Sequence, residues 1–424
     1  MDYFAINGGK PLRGTVTVEG SKNAALPIVA GALLIAKGKT TLTNIPPLRD
    51  MSVMSKVMAA LGAKVSYDEE AQTMDIDASH LGDPVTPYDL MSQMRGSFVV
   101  LGPLLARLGR ARVSLPGGCS LGARPVDYHI KGLQAMGAII DIDGGDVVAT
   151  MPKTAKRGTG SVVYFDRPTH TGTENLIFAA TLGKGETMIH NAACDPEVVD
   201  VANFINAAGG RVEGAGTPII RVKAVRSLNA VKYKVSGDRL VAGTYLFGAA
   251  ATGGKIEVRG VDPAQLTIVF EKLREMGCAI TGAKTSIKLT APKRLKSASV
   301  VTFPFPGFPT DLQPCIMAAM AVADGTSRLR ETIFEDRFSH AMEMRRLGAD
   351  ITISADEAFI QGVDRLSGAT VMASDIRAGA GLVLAALASR KQSEVKRVYH
   401  IDRGYAHLEE RLRELGADIE RKQE

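Results

Sequence analysis

The sequence predicts an α/β (α+β) fold built from six similar units, three in each of two domains. The first observation is a repeat, because Leu61-Gly62-Ala63-Lys64-Val65 has five related copies along the chain. The second observation is regular spacing: the glycines of successive copies lie 68 to 75 residues apart, at positions 62, 137, 209, 277, 348 and 416. A nearly constant period of this kind indicates one supersecondary unit used repeatedly.

Each unit contains the same elements in the same order. An Ala/Gly-rich apolar segment such as residues 24–36 comes first, and a helix that is apolar on most faces is expected to be buried. A β-rich stretch follows, as at residues 39–43. Next comes an amphipathic helix that ends at the repeated glycine, as the helical spacing of Val198, Val201 and Ile205 indicates. A short strand follows the glycine, so we expect helices inside each domain and strands outside.

The six units divide most simply into three and three, with a midpoint between residues 231 and 240. Residues 4–19 read as strand, turn and strand, and we expect them to complete a sheet of the second domain. The expected domains are residues 22–232 and residues 1–21 plus 233–424, so that the chain crosses twice between them. A long solenoid is the alternative, although the unit is long for common solenoids.

Bulk properties exclude several classes of protein. The chain has 424 residues, of which 45% are hydrophobic and 23% charged, as in an ordinary globular protein. The net charge of +6 is modest and aromatic residues are few, which argues against a nucleic-acid partner. No apolar stretch is long enough to cross a bilayer, so no membrane partner is expected. The four cysteines and seven histidines are scattered, which predicts neither disulfides nor a zinc site and favours the cytoplasm.

One loop stands out as a candidate for chemistry. Residues 115–127 place three glycines around Cys119, with Arg112 and Arg124 nearby. Glycines permit a tight or mobile loop, and neighbouring cations favour a reactive thiolate. The alternative is that Cys119 is a small buried apolar residue, as isolated cysteines commonly are.

With the repeats and this loop, the whole chain resembles the UDP-N-acetylglucosamine 1-carboxyvinyltransferases, enolpyruvyl transferases related to EPSP synthase. The resemblance rests on long, ordered motifs spread over both halves of the chain. They are Gly20–Ala25, Pro116–Cys119, Gly122–Asp127, Phe308–Gln313, Phe334–Phe338, Asp375–Ala378 and Tyr399–Tyr405. The resemblance implies a two-domain inside-out α/β barrel of six βαβαββ repeats, three per domain, with the active site in the cleft between the domains.

The resemblance also implies a reaction that opens peptidoglycan synthesis. The enolpyruvyl group of phosphoenolpyruvate is transferred to the 3-hydroxyl of UDP-N-acetylglucosamine by addition and elimination, and phosphate is released. Arginines can carry the charge stabilisation, so neither a cofactor nor a metal is expected. The implied partners are these two small-molecule substrates, and the chain is expected to be a monomer or weak homo-oligomer.

The resemblance assigns roles to individual residues. Cys119 is the general acid on a mobile loop, Asp311 accepts the proton of the sugar hydroxyl, and Lys22 contacts phosphoenolpyruvate. The phosphoenolpyruvate site comprises Lys22, Asn23, Arg95, Arg124, Arg337, Arg377 and Arg403. The UDP-N-acetylglucosamine site comprises Asn23, Arg95, Arg124, Pro125, Val126, Asp127, Tyr128, Arg167, Thr169, Asp311, Ile333 and Phe334.

Simpler interpretations stand beside these roles. A lysine after Gly-Ser is commonly a solvated loop charge, single arginines commonly form surface ion pairs, and Asp311 could be a helix N-cap. Cys194, Cys278 and Cys315 match no functional position and are predicted to be packing residues.

Two positions depart from the family pattern. Thr169-His170-Thr171 stands where Ser-Val-Gly is frequent, and Val241 stands where an acid is common. His170 could contact the diphosphate, but an exposed loop histidine is the expected outcome. Both changes concern the nucleotide side of the predicted site.

Two other functions remain as alternatives. A shikimate 3-phosphate enolpyruvyl transferase shares the lysine and arginines but lacks the Pro-Gly-Gly-Cys loop. A non-catalytic nucleotide-sugar-binding paralogue would be signalled by loss of Cys119 or Asp311, and both are present.

Overall fold

The computed structural model describes residues 2–115, 126–152 and 160–423, apart from the side chain of Arg95. These residues form two compact units. The C-terminal unit contains residues 2–19 and 237–423, and the N-terminal unit contains the described residues between 20 and 236. Among the helices described, none has the length and apolar character needed to cross a membrane.

The chain begins with two strands of the C-terminal unit, β1 (Asp2–Asn7) and β2 (Arg13–Thr17). The N-terminal unit then follows with α1 (Lys22–Gly31), β3 (Thr40–Thr43), α2 (Arg49–Ala60), β4 (Lys64–Asp68), β5 (Thr73–Asp77), α3 (Tyr88–Met91), α4 (Leu101–Leu108), β6 (Arg110–Ser114), α5 (Asp127–Ala135), β7 (Ile139–Asp143), β8 (Asp146–Thr150), β9 (Val162–Tyr164), α6 (His170–Thr181), β10 (Glu186–His190), α7 (Pro196–Ala207), β11 (Val212–Glu213), β12 (Ile219–Lys223) and β13 (Lys232–Lys234).

The chain then returns to the C-terminal unit. Its elements are α8 (Arg239–Thr252), β14 (Lys255–Arg259), α9 (Thr267–Glu275), β15 (Ala279–Ala283), β16 (Ser286–Thr290), β17 (Ser299–Val301), α10 (Gln313–Met320), β18 (Thr326–Arg330), α11 (Ser339–Arg346), β19 (Asp350–Ser354), β20 (Glu357–Gln361), β21 (Thr370–Met372), α12 (Ile376–Leu387), β22 (Gln392–Lys396), α13 (Leu408–Glu414) and β23 (Asp418–Gln423).

Six small mixed sheets share one topology, in which a parallel pair of strands is extended by an antiparallel pair. In the N-terminal unit the strand orders are β13-β3-β5-β4, β6-β8-β7 and β11-β12-β10-β9. In the second of these sheets, the parallel partner of β6 is reduced to a single bridge, between Val85 and Arg112. In the C-terminal unit the orders are β15-β16-β14-β2, β17-β18-β20-β19 and β21-β22-β1-β23.

The segment before α1 contributes to two sheets of the C-terminal unit rather than to one. Strand β1 pairs antiparallel with both β22 and β23, and β2 pairs parallel with β14. Where the chain leaves the N-terminal unit again, β13 pairs parallel with β3, and the Ser21 amide donates to the carbonyl of Ser236. The N-terminal unit therefore extends to residue 236.

The six repeated glycines end six helices, as the sequence predicts. Each glycine adopts a left-handed conformation with φ between +87° and +97°, which favours glycine over residues with a Cβ. At the first of them, the Gly62 amide donates to the carbonyl of Ala59 and the Ala63 amide to that of Met58. A strand begins two or three residues after every one of these glycines.

The small-residue helices form the cores of both units. Helices α8, α10 and α12 contact one another in the C-terminal unit, and α1, α4 and α6 lie together in the N-terminal unit. Small residues allow this approach: a Cβ on Gly381 of α12 would lie 2.7 Å from the Cβ of Pro314 on α10. Strand residues alternate between buried and more exposed positions, so one face of each sheet packs against these helices.

Candidate active site

The C-terminal unit brings together one carboxylate and two guanidinium groups that are distant in sequence. Asp311 lies in a single 3₁₀ turn, Thr310–Leu312, directly before α10. Its Oδ1 lies 2.9 Å from Nη2 of Arg337, and its Oδ2 lies 3.2 Å from Nε of Arg377. The two arginine side chains are 3% and 6% exposed, whereas that of Asp311 is 29% exposed. The carboxylate therefore remains accessible while two buried cations hold it.

Arg337 is held in place by its own network. Its Nη1 donates to Thr310 Oγ1 at 2.9 Å, and its guanidinium lies 5.1 Å from the ring centroid of Phe334. The Thr310 hydroxyl in turn donates to Glu331, which is buried. Glu331 also accepts the backbone amides of Ile333 and Phe334. This buried glutamate therefore shapes the turn that carries Ile333, Phe334 and Arg337.

Arg377 is positioned by the start of α12. Asp375 caps the helix by accepting the backbone amides of Arg377 and Ala378, both at 2.9 Å. The guanidinium lies 5.2 Å from the ring centroid of Tyr405. Burial lowers the pKa of Arg377, but the negative charges that surround it, including that of Asp311, outweigh burial and raise it. Arg403, in the next predicted motif, is half-buried and lies two residues before Tyr405.

Both arginines retain donors for a further anion. Nε of Arg337 and Nη1 of Arg377 are buried and have no hydrogen-bond partner among the described residues. A buried charged N–H without a partner costs about 1–3 kcal/mol or more. A small anion with two or more oxygens would satisfy both donors, because guanidinium groups match carboxylate and phosphate geometry.

The alternative role of Asp311 as an N-cap is wrong. The turn before α10 has no side-chain cap, and the Asp311 carboxylate is engaged with the two arginines instead. The suggestion that these arginines form surface ion pairs is also wrong, since both are buried.

In the N-terminal unit, Lys22 is the first residue of α1 and is buried. Its Nζ lies 2.6 Å from Oδ2 of Asp50, whose side chain is 3% exposed, in the first turn of α2. Lys22 is therefore not a solvated loop charge. Asp50 was not found from the sequence, where an acid in the first turn of an amphipathic helix indicates only a favourable helix dipole interaction. Asn23 is the one residue of α1 that is not buried.

Three predicted site residues lie outside the described part of the chain, and a fourth, Arg95, is described only by its backbone. Arg95 begins a 3₁₀ helix that continues to Val100. Cys119, Arg124 and Pro125 lie outside the described residues. Arg112 is paired with Asp143 and Asp146 across the sheet, at 3.0 and 2.7 Å, so its charge is already matched.

The residues predicted on the nucleotide side surround the starts of α5 and α6. Val126, Asp127 and Tyr128 form the beginning of α5 and are half-buried, and Arg167 is exposed. Thr169 caps α6 by accepting the Gly172 amide at 3.3 Å. Oδ1 of Asp127 is buried without a hydrogen-bond partner among the described residues.

A buried polar network behind these residues was missed by the sequence analysis. His129 on α5 lies 2.8 Å from the amide nitrogen of Asn175 on α6 and 3.2 Å from the hydroxyl of Thr171. Asn175 also accepts the backbone amide of Gly102 on α4 at 2.7 Å. Burial lowers the pKa of His129 to about 4, so the imidazole is neutral near pH 7. A lone histidine in an amphipathic helix gives no signal of such a network.

The expectation of an exposed loop histidine at position 170 is wrong. His170 is the first residue of α6, and its imidazole lies between Glu174 and Glu197, at 3.6 and 3.8 Å. Burial lowers the pKa of His170, but these two carboxylates outweigh burial and raise it. The histidine therefore belongs to an acidic cluster inside the N-terminal unit.

The second position that departs from the family pattern, Val241, and the three described cysteines have structural roles. Val241 is buried within α8 and donates its backbone amide to Asp238, the N-cap residue. Cys278 and Cys315 are buried, as predicted, and burial raises their thiol pKa values to about 12 and about 11. Cys194 is half-buried, next to Asp195.

Solved structures of other proteins share this fold. The enolpyruvyl transferase NikO from Streptomyces tendae matches with a TM-score of 0.88 over 99% of each chain, at 24% sequence identity. An EPSP synthase from Acinetobacter baumannii matches with a TM-score of 0.79 over the full length of both chains, at 20% identity. The fold is therefore the mixed α/β fold of the enolpyruvyl transferases.

Sequence comparison gives the family. Residues 6–412 match the family of EPSP synthase (3-phosphoshikimate 1-carboxyvinyltransferase). The chain belongs to this family. It is 48% identical over 421 residues to a UDP-N-acetylglucosamine 1-carboxyvinyltransferase of Desulfosudis oleivorans, covering 99% of both chains. Proteins with the same name from Myxococcus xanthus and Dichelobacter nodosus are 49% and 47% identical, over 99% and 100% of each chain respectively.

Proposed function

We propose that this chain transfers the enolpyruvyl group of phosphoenolpyruvate to the 3-hydroxyl of UDP-N-acetylglucosamine, with release of phosphate, in peptidoglycan synthesis. Support for the acceptor comes from full-length identity of 47–49% to relatives that carry the name of this activity. The single structural observation that carries the chemistry is the Asp311–Arg337–Arg377 cluster. It combines an accessible carboxylate with buried cationic donors that lack partners among the described residues.

The reaction balances as an addition followed by an elimination. The sugar oxygen bonds to C2 of phosphoenolpyruvate while C3 gains a proton, which gives a tetrahedral ketal. Loss of a proton from C3 and cleavage of the C2–O bond to phosphate then regenerate the enol ether. The protein must supply a base for the hydroxyl, an acid for C3, and cations for the phosphate and carboxylate.

Arg337 and Arg377 are the proposed carboxylate-binding residues. Their unpartnered buried N–H groups suit a bidentate anion, and their rigid supports keep the guanidinium planes fixed before the substrate binds. Arg403 and Arg124 are the proposed phosphate-binding residues. Lys22 adds a further cation for phosphoenolpyruvate, and Arg95 and Asn23 complete this set.

Asp311 is the proposed base. Its carboxylate is 29% exposed, so a sugar hydroxyl can reach it, and its contacts with Arg337 and Arg377 fix its position. Cys119 is the proposed acid for C3, because a thiol with a pKa tuned towards neutrality transfers protons efficiently. No cofactor takes part in this proposal.

Four of the residues proposed to contact the nucleotide sugar, Val126, Asp127, Tyr128 and Thr169, lie at the starts of α5 and α6. Support comes from helix N-termini, whose backbone amides and dipoles favour a diphosphate. The proposed contacts are Asn23, Arg95, Arg124, Pro125, Val126, Asp127, Tyr128, Arg167, Thr169, Asp311, Ile333 and Phe334.

We further propose that the two units are domains of three βαβαββ repeats each, in the arrangement of an inside-out α/β barrel, with chain crossings near residues 21 and 232–238. The six sheets of common topology support this proposal. The cytoplasm is the proposed compartment, because both substrates are intracellular metabolites.

A phosphate-release assay with two acceptors tests the function. Purified protein with phosphoenolpyruvate should release phosphate when UDP-N-acetylglucosamine is added and not when shikimate 3-phosphate is added. The reverse result would establish the shikimate alternative. Binding of the nucleotide sugar without any phosphate release would establish the non-catalytic alternative.

A further inference from the structure

A second cluster of ionisable groups lies within the N-terminal unit, at the starts of two neighbouring helices. His170 is the first residue of α6, Asp195 directly precedes α7, and Glu197 is in the first turn of α7. One potential ligand atom from each of these residues lies within 4.8 Å of those from the other two. Asp195 is the N-cap residue of α7 and Glu197 lies in its first turn, and together with His170 they bring three ligand atoms to one place.

The imidazole of His170 has two different neighbours. Its Nε2 lies 3.8 Å from Oε2 of Glu197, and its Nδ1 lies 3.6 Å from Oε2 of Glu174. Nε2 is buried and has no hydrogen-bond partner among the described residues. Ligands of one metal ion, each about 2.0–2.2 Å from it, are themselves about 3.0–3.6 Å apart. The His170–Glu197 distance is close to this range, and the pairs that involve Asp195 lie within 4.8 Å.

Glu174 provides an independent observation. Its side chain is completely buried, and neither carboxylate oxygen has a hydrogen-bond partner in the described part of the chain. The carboxylate lies behind the imidazole, on the Nδ1 side. Histidines that bind a metal through one nitrogen commonly donate the other N–H to a carboxylate, which fixes the ring orientation. Glu174 is in the position of that outer carboxylate.

We propose that His170, Asp195 and Glu197 bind a divalent first-row transition metal ion, with Glu174 orienting the imidazole. One nitrogen and two carboxylate ligands suit zinc or manganese, and a divalent charge offsets the carboxylates of Asp195, Glu197 and the buried Glu174. Such an ion would tie the start of α6 to the start of α7. Its role is structural and separate from enolpyruvyl transfer, which needs no metal in the function proposed above.

Metal titration of the full-length, chelator-treated protein tests this site. Calorimetry with MnCl₂, which avoids thiolate sites, should show one saturable site per chain, and ZnCl₂ should compete for it. Saturation should raise the melting temperature by about 5 °C. The absence of a saturable site for both ions in the wild-type protein would overturn the proposal and leave an imidazolium–carboxylate network only.

Variants separate this site from adventitious binding. His170→Asn should abolish the site, and Glu174→Gln should weaken it about 10- to 100-fold because the outer carboxylate is lost. His80→Asn, which changes an exposed histidine of the same unit, is the matched control and should bind like wild type. Wild-type affinity in both His170→Asn and Glu174→Gln would overturn the assignment.

A wild-type measurement keeps the test valid if His170→Asn fails to fold. Co²⁺ added to the chelator-treated wild-type protein should give a visible absorption spectrum that Zn²⁺ removes. A spectrum identical to that of Co²⁺ in buffer would count against the site.

Discussion

The ammonium group of Lys22 lies 2.6 Å from the carboxylate of Asp50, and neither side chain is more than one-tenth exposed. This pair joins the first turn of α1 to the first turn of α2. It places a carboxylate against the proposed phosphoenolpyruvate-binding cation inside the N-terminal unit, which offsets the cost of burying that charge.

Asp50→Asn should therefore destabilise the protein strongly. Removing one partner of a buried pair leaves an uncompensated charge, and we expect a loss of about 3 kcal/mol in the free energy of unfolding. Urea denaturation measures this loss. Asp83→Asn, which breaks the exposed pair with Arg110, is the control and should cost about 1 kcal/mol or less. Equal effects of the two changes would contradict the prediction.

Asp311→Asn should reduce the turnover number by about 10²- to 10⁴-fold, because the amide cannot accept the hydroxyl proton. Phosphate release measures turnover, and calorimetry with UDP-N-acetylglucosamine shows whether the variant still binds the sugar nucleotide. Asp324→Asn is the control, since this exposed residue belongs to the same unit. Turnover near the wild-type value in Asp311→Asn would remove this residue from the chemistry.

Arg377→Lys should raise the KM for phosphoenolpyruvate at least about 10-fold, because an ammonium group cannot reproduce a bidentate contact. The buried position and the Asp375 cap are compatible with lysine, so the fold should persist. Steady-state kinetics measure the change. In Arg274→Lys, where the arginine pairs with Glu271 on the surface, KM should be unchanged.

His129 should contribute to a loss of stability in acid. Burial lowers its pKa from 6.5 to about 4 on folding. Between these two pH values, the histidine is protonated in the unfolded chain and neutral in the folded chain. The free energy of unfolding should therefore be unaffected above about pH 6.5 and decline as pH falls towards 4, by up to about 3 kcal/mol.

Urea titrations of wild type and His129→Gln at pH 7.0, 5.5 and 4.5 measure this decline. The variant should show a smaller decline, although it is less stable at pH 7 because the contact with Asn175 is altered. His80→Gln should keep the wild-type decline. A decline of the same size in His129→Gln would show that other groups cause it.

Cys119 should be the cysteine that reacts. Incubation with the epoxide fosfomycin and UDP-N-acetylglucosamine should add one inhibitor mass, located at Cys119 by peptide mapping. Cys278 and Cys315 should remain unmodified in the folded protein, because burial blocks access and raises their thiol pKa values. Cys119→Ser should show no added mass.

The sequence predicted features that have a period or a strong local preference. The glycines at 62 and 416 are examples. A residue in the left-handed conformation follows the helix in each repeat, and this conformation favours glycine. Residues 4–19 were predicted to form a strand, a turn and a strand that complete one sheet. Their separation into two sheets was not predicted, because the pairing partners lie hundreds of residues away.

Site residues that the family resemblance identified were easier to find than the residues that hold them in position. Asp311 and Arg377 stood in recognisable motifs, whereas Asp50 and Glu331 act through tertiary contacts that leave no local pattern. His170 was misjudged for the same reason, since its acidic neighbours on α7 come close only after folding.

The pairing of β1 with β22 and β23 has a consequence for synthesis on the ribosome. Strand β1 is made before its partners, which follow it by roughly 390 to 420 residues. At 5–20 residues per second, this interval is about 20–80 s. Throughout it, β1 has an unpaired edge while the whole N-terminal unit emerges and can fold. The nascent chain must therefore keep this short apolar strand from aggregating, a task suited to a chaperone that binds extended apolar segments.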